Sequence, residues 1–135
     1  MSFELRDHTA DVAVAARGES LGETYAAVAD GLAAAMCESV PEGGERHSVA
    51  VHAESREALL FDYLDELIYR RDVDGVLPVD NEASVDFGGE WVLSGSFRGV
   101  PLSAVTAREV KAVTYSEMRV ERTEHGFTAY VVFDV

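Results

Sequence analysis

The chain has 135 residues, close to the roughly 150 expected of one domain. Acids outnumber bases 25 to 11, for a formal charge of −14, and Cys37 is the single cysteine. These figures exclude an internal disulfide and a simple basic nucleic-acid binder, and no apolar run reaches the roughly 20 residues that span a bilayer. The N-terminal run carries charges where a signal peptide needs an apolar centre. A soluble, cytoplasmic, single domain over residues 1–135 is therefore expected, with no membrane contact.

The charge is spread along the chain, and Lys111 is the only lysine beside ten arginines. An apolar fraction of 47% is that of a folded protein and not of a disordered polyanion. A salt-adapted surface is expected, since high salt screens self-repulsion and dense carboxylates keep the surface solvated; the alternative is a mesophile protein that is simply acidic.

In chain order, Val12, Val14 and Ala16 alternate as a strand that Gly18 ends. Ser20 with Glu23 forms a capping-box pattern, and Leu21, Tyr25, Val28, Leu32 and Met36 mark a helix from Leu21 to about Cys37. Pro41, Gly43 and Gly44 make a loop, and Val49, Val51 and Ala53 a second strand. Ser55 caps a second helix from Arg56 to about Arg70, with Leu59, Leu60, Tyr63, Leu64, Leu67 and Ile68 as its apolar face. Asp74-Gly75 stops it. Strand-like runs follow at 76–87 and 91–97 around Gly88-Gly89, then at 110–115, 118–122 and 127–133. This order predicts an α+β domain, two helices packed on a mixed, mostly antiparallel sheet. The strands and helices do not keep alternating, as a doubly wound nucleotide-binding fold requires.

Asp7-His8-Thr9-Ala10-Asp11 is the densest polar cluster. In an extended segment Asp7, Thr9 and Asp11 share one face and present oxygen ligands to a hard cation; in a turn the same side chains bond nearby backbone N–H groups. At the other end, Asp134 and the Val135 carboxylate place two anionic groups within one residue, directly after an apolar strand. Like charges that close repel unless a cation or donor lies between them. A last strand lying beside the first would bring them to Asp11; otherwise both face water. Lys111 either anchors a carboxylate, reaches a partner's phosphate, or is a solvent-side strand residue. His8, His47, His52 and His125 lack the spacing of a structural zinc site, and Cys37 reads as buried filler. No nucleophile-elbow, Walker or dinucleotide motif occurs.

Together these blocks resemble the archease family. Asp7-His8-Thr9-Ala10-Asp11 with a short strand and Gly18 is similar to its N-terminal signature, and Phe61-Asp62-Tyr63-Leu64-Asp65-Glu66-Leu67-Ile68-Tyr69 to its second-helix pattern. Glu109-Val110-Lys111-Ala112-Val113-Thr114-Tyr115 and Val131-Val132-Phe133-Asp134-Val135 are similar to its C-terminal blocks, and the four stand in family order. The resemblance implies an archease-like fold and a non-catalytic activator of an RtcB-type tRNA-splicing ligase. Such an activator promotes guanylylation of the ligase's active-site histidine, supports multiple turnover and broadens nucleotide use. It implies a divalent cation, calcium with magnesium or manganese as alternatives, held by Asp11, Asp134 and Val135. Asp7, His8 and Lys111 then belong to the partner-facing surface, and direct nucleic-acid binding is not expected. The family's histidine after the Thr-Tyr pair is replaced by Ser116, and the stretch 99–108 is shorter than usual. The alternative is a general chaperone of nucleic-acid-modifying enzymes with no metal-dependent step; a stand-alone hydrolase lacks an obvious nucleophile or base. A salt-adapted surface predicts that the melting temperature rises with KCl; a melt that is flat from low to molar salt contradicts it.

Overall fold

The computed structural model describes residues 2–7 and 11–135, leaving aside the side chains of Arg6 and Asp7. Its elements are β1 (Ser2–Asp7), β2 (Asp11–Gly18), α1 (Leu21–Met36), β3 (Glu45–Ala53), α2 (Arg56–Asp74), β4 (Val76–Phe87), β5 (Trp91–Pro101), β6 (Ala112–Val113), β7 (Arg119–Thr123) and β8 (Gly126–Asp134). Among the described residues every strand pairing is antiparallel, and the strands divide into two sheets. The larger runs β1-β2-β8, with β6 and β7 sharing the free edge of β8; the smaller runs β3-β5-β4. The element order predicts two helices on a mixed, mostly antiparallel sheet; the two helices are present, and the strand pairings are all antiparallel among the described residues. The partition into two sheets is the addition.

Both helices start where local chemistry starts them. The Ser20 hydroxyl accepts from the Glu23 N–H at 3.1 Å, and the Glu23 carboxylate accepts in turn from the Glu19 N–H at 2.9 Å. The Ser55 hydroxyl accepts from the Ala58 N–H at 3.0 Å. Gly75, at φ 67°, closes α2 in the left-handed conformation that glycine adopts without a Cβ clash. The stop is the expected Asp74-Gly75, but the helix runs right up to it, four residues beyond the expected end near Arg70, so Arg71 belongs to the helix.

Helix α1 is buried around most of its circumference, because it packs on β2 of one sheet and on β4 of the other. Its alanines and glycines are the consequence: only short side chains allow so close an approach on two sides. A Cβ at Gly22 would lie 2.3 Å from the Ala83 carbonyl oxygen of β4, and one at Gly31 would lie 2.5 Å from a Val14 methyl carbon of β2. Helix α2 buries Leu59, Leu60, Tyr63, Leu64, Leu67 and Ile68 and packs mainly on the smaller sheet, with contacts to β6 as well. Cys37 is buried, as its position after Met36 suggests.

The long strand β4 is interrupted by a bulge, where the register with β5 shifts between Val79 and Glu82. Asp80 there has φ 48°. Asp30 of α1 fastens the bulge: one carboxylate oxygen accepts from the Asn81 backbone N–H at 3.0 Å and from its side-chain amide at 2.9 Å. Burial raises the Asp30 pKa above the ordinary carboxylate range, and these two hydrogen bonds oppose the shift without cancelling it.

Two corrections to the expected strands concern β1 and β6. β1 was not expected; it adds an edge to β2 in register from Ser2–Arg17 to Asp7–Val12, with Phe3 and Leu5 partly exposed. The run 110–115 condenses to the two-residue β6, because β8 offers it only residues 133 and 134 as ladder partners. β2 is also more enclosed than a half-buried strand: Ala13, on the opposite side from Val12 and Val14, is buried too.

Gly22→Ala should destabilise the fold by about 1–3 kcal/mol in urea unfolding, since the added methyl meets backbone rather than a movable side chain. Asp30 gives a pH prediction. A folded-state pKa above the unfolded one makes this carboxyl's contribution greatest below the unfolded pKa and loses it as pH rises through the folded pKa. Wild type should therefore gain stability relative to Asp30→Asn as pH falls from neutral toward about 4. Parallel stability curves for the two proteins would contradict this.

Candidate functional site

The pairing of β2 with β8 builds one tip of the larger sheet. Val12, Val14 and Ala16 face the helices together with their cross-strand partners Phe133, Val131 and Ala129, all buried. Strand alternation then places Asp11 and Asp134 on the other face, directly opposite each other in the last row of the ladder. Directly opposed residues in an antiparallel pair have Cβ atoms about 4.5–5.5 Å apart. Two like charges in that arrangement repel, so the row is unfavourable unless something positive shares it. Val135 follows Asp134 and is partly exposed. Asp11 is half-buried and Asp134 exposed.

A third segment closes on the same row. The Lys111 N–H donates to the Asp134 carbonyl at 2.8 Å, and Ala112 stands opposite Asp134 on the β6 side. Below it, the backbone N–H and the hydroxyl of Thr114 both donate to the Val132 carbonyl, at 3.1 and 2.9 Å. Lys111 is exposed, and its ammonium makes no ion pair among the described residues. Tyr115 turns to the helix side of the sheet and stacks on Phe61 of α2, with ring centroids 4.2 Å apart and planes inclined by 8°. Ser116, where the sequence departs from the expected histidine, donates its N–H to the Thr114 hydroxyl at 3.2 Å.

The structure thus brings Asp11, Asp134 and Val135 to one tip, with Lys111 beside them. Asp7 ends β1 with its backbone opposite Val12, one row from Asp11; its side chain, and all of His8, lie outside the described residues. Among the described residues no three His, Cys, Asp or Glu side chains gather closely enough to hold a metal. The donors at the tip are the two aspartates, with whatever the main chain adds at Val135. Oxygen donors of this kind suit hard cations such as calcium, magnesium and manganese.

Two features escaped the sequence reading. The Phe61–Tyr115 stack joins residues 54 positions apart, which no local pattern reveals. Arg71 is buried at the helical position that follows Leu60, Leu64 and Leu67. A cation on an apolar stripe was the available signal, but a helix ended at Arg70 conceals it.

Fold and tip define a small two-sheet α+β domain with paired acids at one end of the larger sheet. The model of the archease protein family (MTH1598/TM1083) matches residues 3–135, and the chain belongs to that family. It is 34% identical to protein archease of Archaeoglobus fulgidus, with 100% of both chains covered, and 31% identical to that of Pyrococcus furiosus, with 98% of both covered. Among solved structures, protein 1598 of Methanobacterium thermoautotrophicum superposes with a TM-score of 0.82 at 28% identity, covering 99% of each chain. An archease of Thermotoga maritima, described as a possible chaperone, has the same fold, with a TM-score of 0.68 at 24% identity over 98% of this chain and 96% of its own. No helix among the described residues is long and apolar enough to cross a membrane.

Proposed function

We propose that this protein is a non-catalytic activator of an RtcB-type tRNA-splicing RNA ligase in the cytoplasm, presenting its acidic tip to the ligase where the active-site histidine is guanylylated. The observation that carries this reading is the Asp11–Asp134 row, two aspartates directly opposite each other at the end of a ladder in a chain of the archease family. Asp11, Asp134 and the main chain at Val135 would hold a divalent cation, with calcium favoured and magnesium or manganese as alternatives. When bound, that cation supplies electrostatic stabilisation to phosphate oxygens.

The chain's own residues do the rest. Asp11 and Asp134 are presented by a rigid two-strand ladder rather than a loop, so their spacing does not depend on the partner. The Lys111 backbone adjoins Asp134, and its exposed side chain makes no ion pair among the described residues that would compete with a partner's phosphate. Asp7 and His8 are assigned to the partner-facing surface from their place in the N-terminal sequence block alone. With a formal charge of −14, the protein acts on the ligase and does not bind RNA itself.

Single-round guanylylation of the ligase with radiolabelled GTP and divalent metal tests this. Substoichiometric protein should raise the guanylylated fraction and the number of turnovers. Asp11→Ala and Asp134→Ala should both lose that stimulation and lose calcium affinity by calorimetry while keeping the wild-type fold. Stimulation retained by both variants would favour a chaperone that acts through shape and charge without a metal-dependent step.

A further inference from the structure

Arg71 takes no part in the tip as described, yet it is the most enclosed cation of the protein's described residues. A buried guanidinium is unfavourable unless its donors are satisfied. Its Nε and Nη2 reach the Asp72 carboxylate at 3.0 and 2.9 Å, and its Nη1 reaches the Met36 sulfur at 3.2 Å and donates to the Val110 carbonyl at 2.6 Å. The Val110 carbonyl and the Lys111 N–H belong to one peptide group, and that N–H donates to the Asp134 carbonyl at 2.8 Å. The peptide is therefore gripped from both sides, by a charged donor on α2 and by the backbone of a tip aspartate on β8. A charged donor on a carbonyl polarises the peptide and strengthens the bond its N–H makes.

We propose that Arg71 is a positioning residue: through the 110–111 peptide it holds the Lys111 backbone against Asp134 and so sets the geometry of the acidic tip from the helix beneath. Asp72 orients the guanidinium, and Met36 ties the same group to the end of α1. The consequence for cation binding rests on the reading of the tip given above; the consequence for the Lys111 amide does not.

The test uses the full-length, 15N-labelled protein with Arg71→Met, which keeps most of the apolar stem and removes every donor, Arg71→Lys, which keeps the charge, and Asp72→Asn, an exposed change that only loosens the guanidinium. Hydrogen exchange at the Lys111 amide should quicken roughly tenfold in Arg71→Met, the worth of one charge-assisted bond, with the amides of Val14 and Val131 unchanged. Arg71→Lys should restore part of the protection, and Asp72→Asn should lose a smaller part. Calcium affinity by calorimetry should fall about tenfold in Arg71→Met, as when an outer-shell partner of a metal ligand is removed. Lys111 protection that is unchanged, or lost equally across the sheet, overturns the proposal. If Arg71→Met does not fold, Asp72→Asn and Arg71→Lys decide it by the same amide. If wild type binds no calcium, the cation reading fails, and the Lys111 amide still decides whether Arg71 positions the segment.

Discussion

The register of β2 against β8 is the constraint on which the rest of the molecule depends. It runs without interruption from Gly18–Phe127 to Asp11–Asp134. Because side chains alternate along a strand, a slip of β2 by one residue would turn Val12 and Val14 away from the helices and Asp11 toward the core. Burying those apolar groups thus fixes where the acids stand. The two acids share the end row of a ladder whose helix-facing rows are buried.

Helix α1 connects that ladder to the second sheet. Its two glycines and many alanines are poor in side-chain surface, yet they allow one helix to touch β2 and β4 at once. The Asp30–Asn81 clasp then fixes the bulge of β4 against the helix. A carboxylate held at that depth is less favourable than one in water, which is the origin of its raised pKa. The same helix ends at Met36, whose sulfur meets Arg71 of α2, so both helices bear on the segment that supports Lys111.

Much of this was legible in the sequence because the deciding chemistry is local. Ser20 and Ser55 announce the helix starts through caps formed within three residues, and the apolar stripes of both helices face the core as their spacing indicates. The Gly88-Gly89 turn separates β4 from β5 for the same reason. What was not legible depends on distant partners. β1 carries charges on alternate positions and is a strand because β2 offers it an edge. β6 shortens because β8 has two residues to spare for it. The meeting of Asp11 with Asp134 was readable as a condition, that the last strand lie beside the first, and the ladder meets that condition. Arg71 was hidden by placing the end of α2 near Arg70, four residues too early.

Because the ladder pairs the second strand with the eighth, its two aspartates are separated by 134 − 11 = 123 positions in sequence. Such long-range closure is entropically late, and during synthesis it waits for the final strand to leave the ribosome. Helix α2 and the sheet β3-β5-β4, both complete by residue 101, can assemble beforehand. The acidic tip therefore cannot form before β8 is made, and a nascent chain lacking β8 presents neither the paired aspartates nor the backbone seat for Lys111.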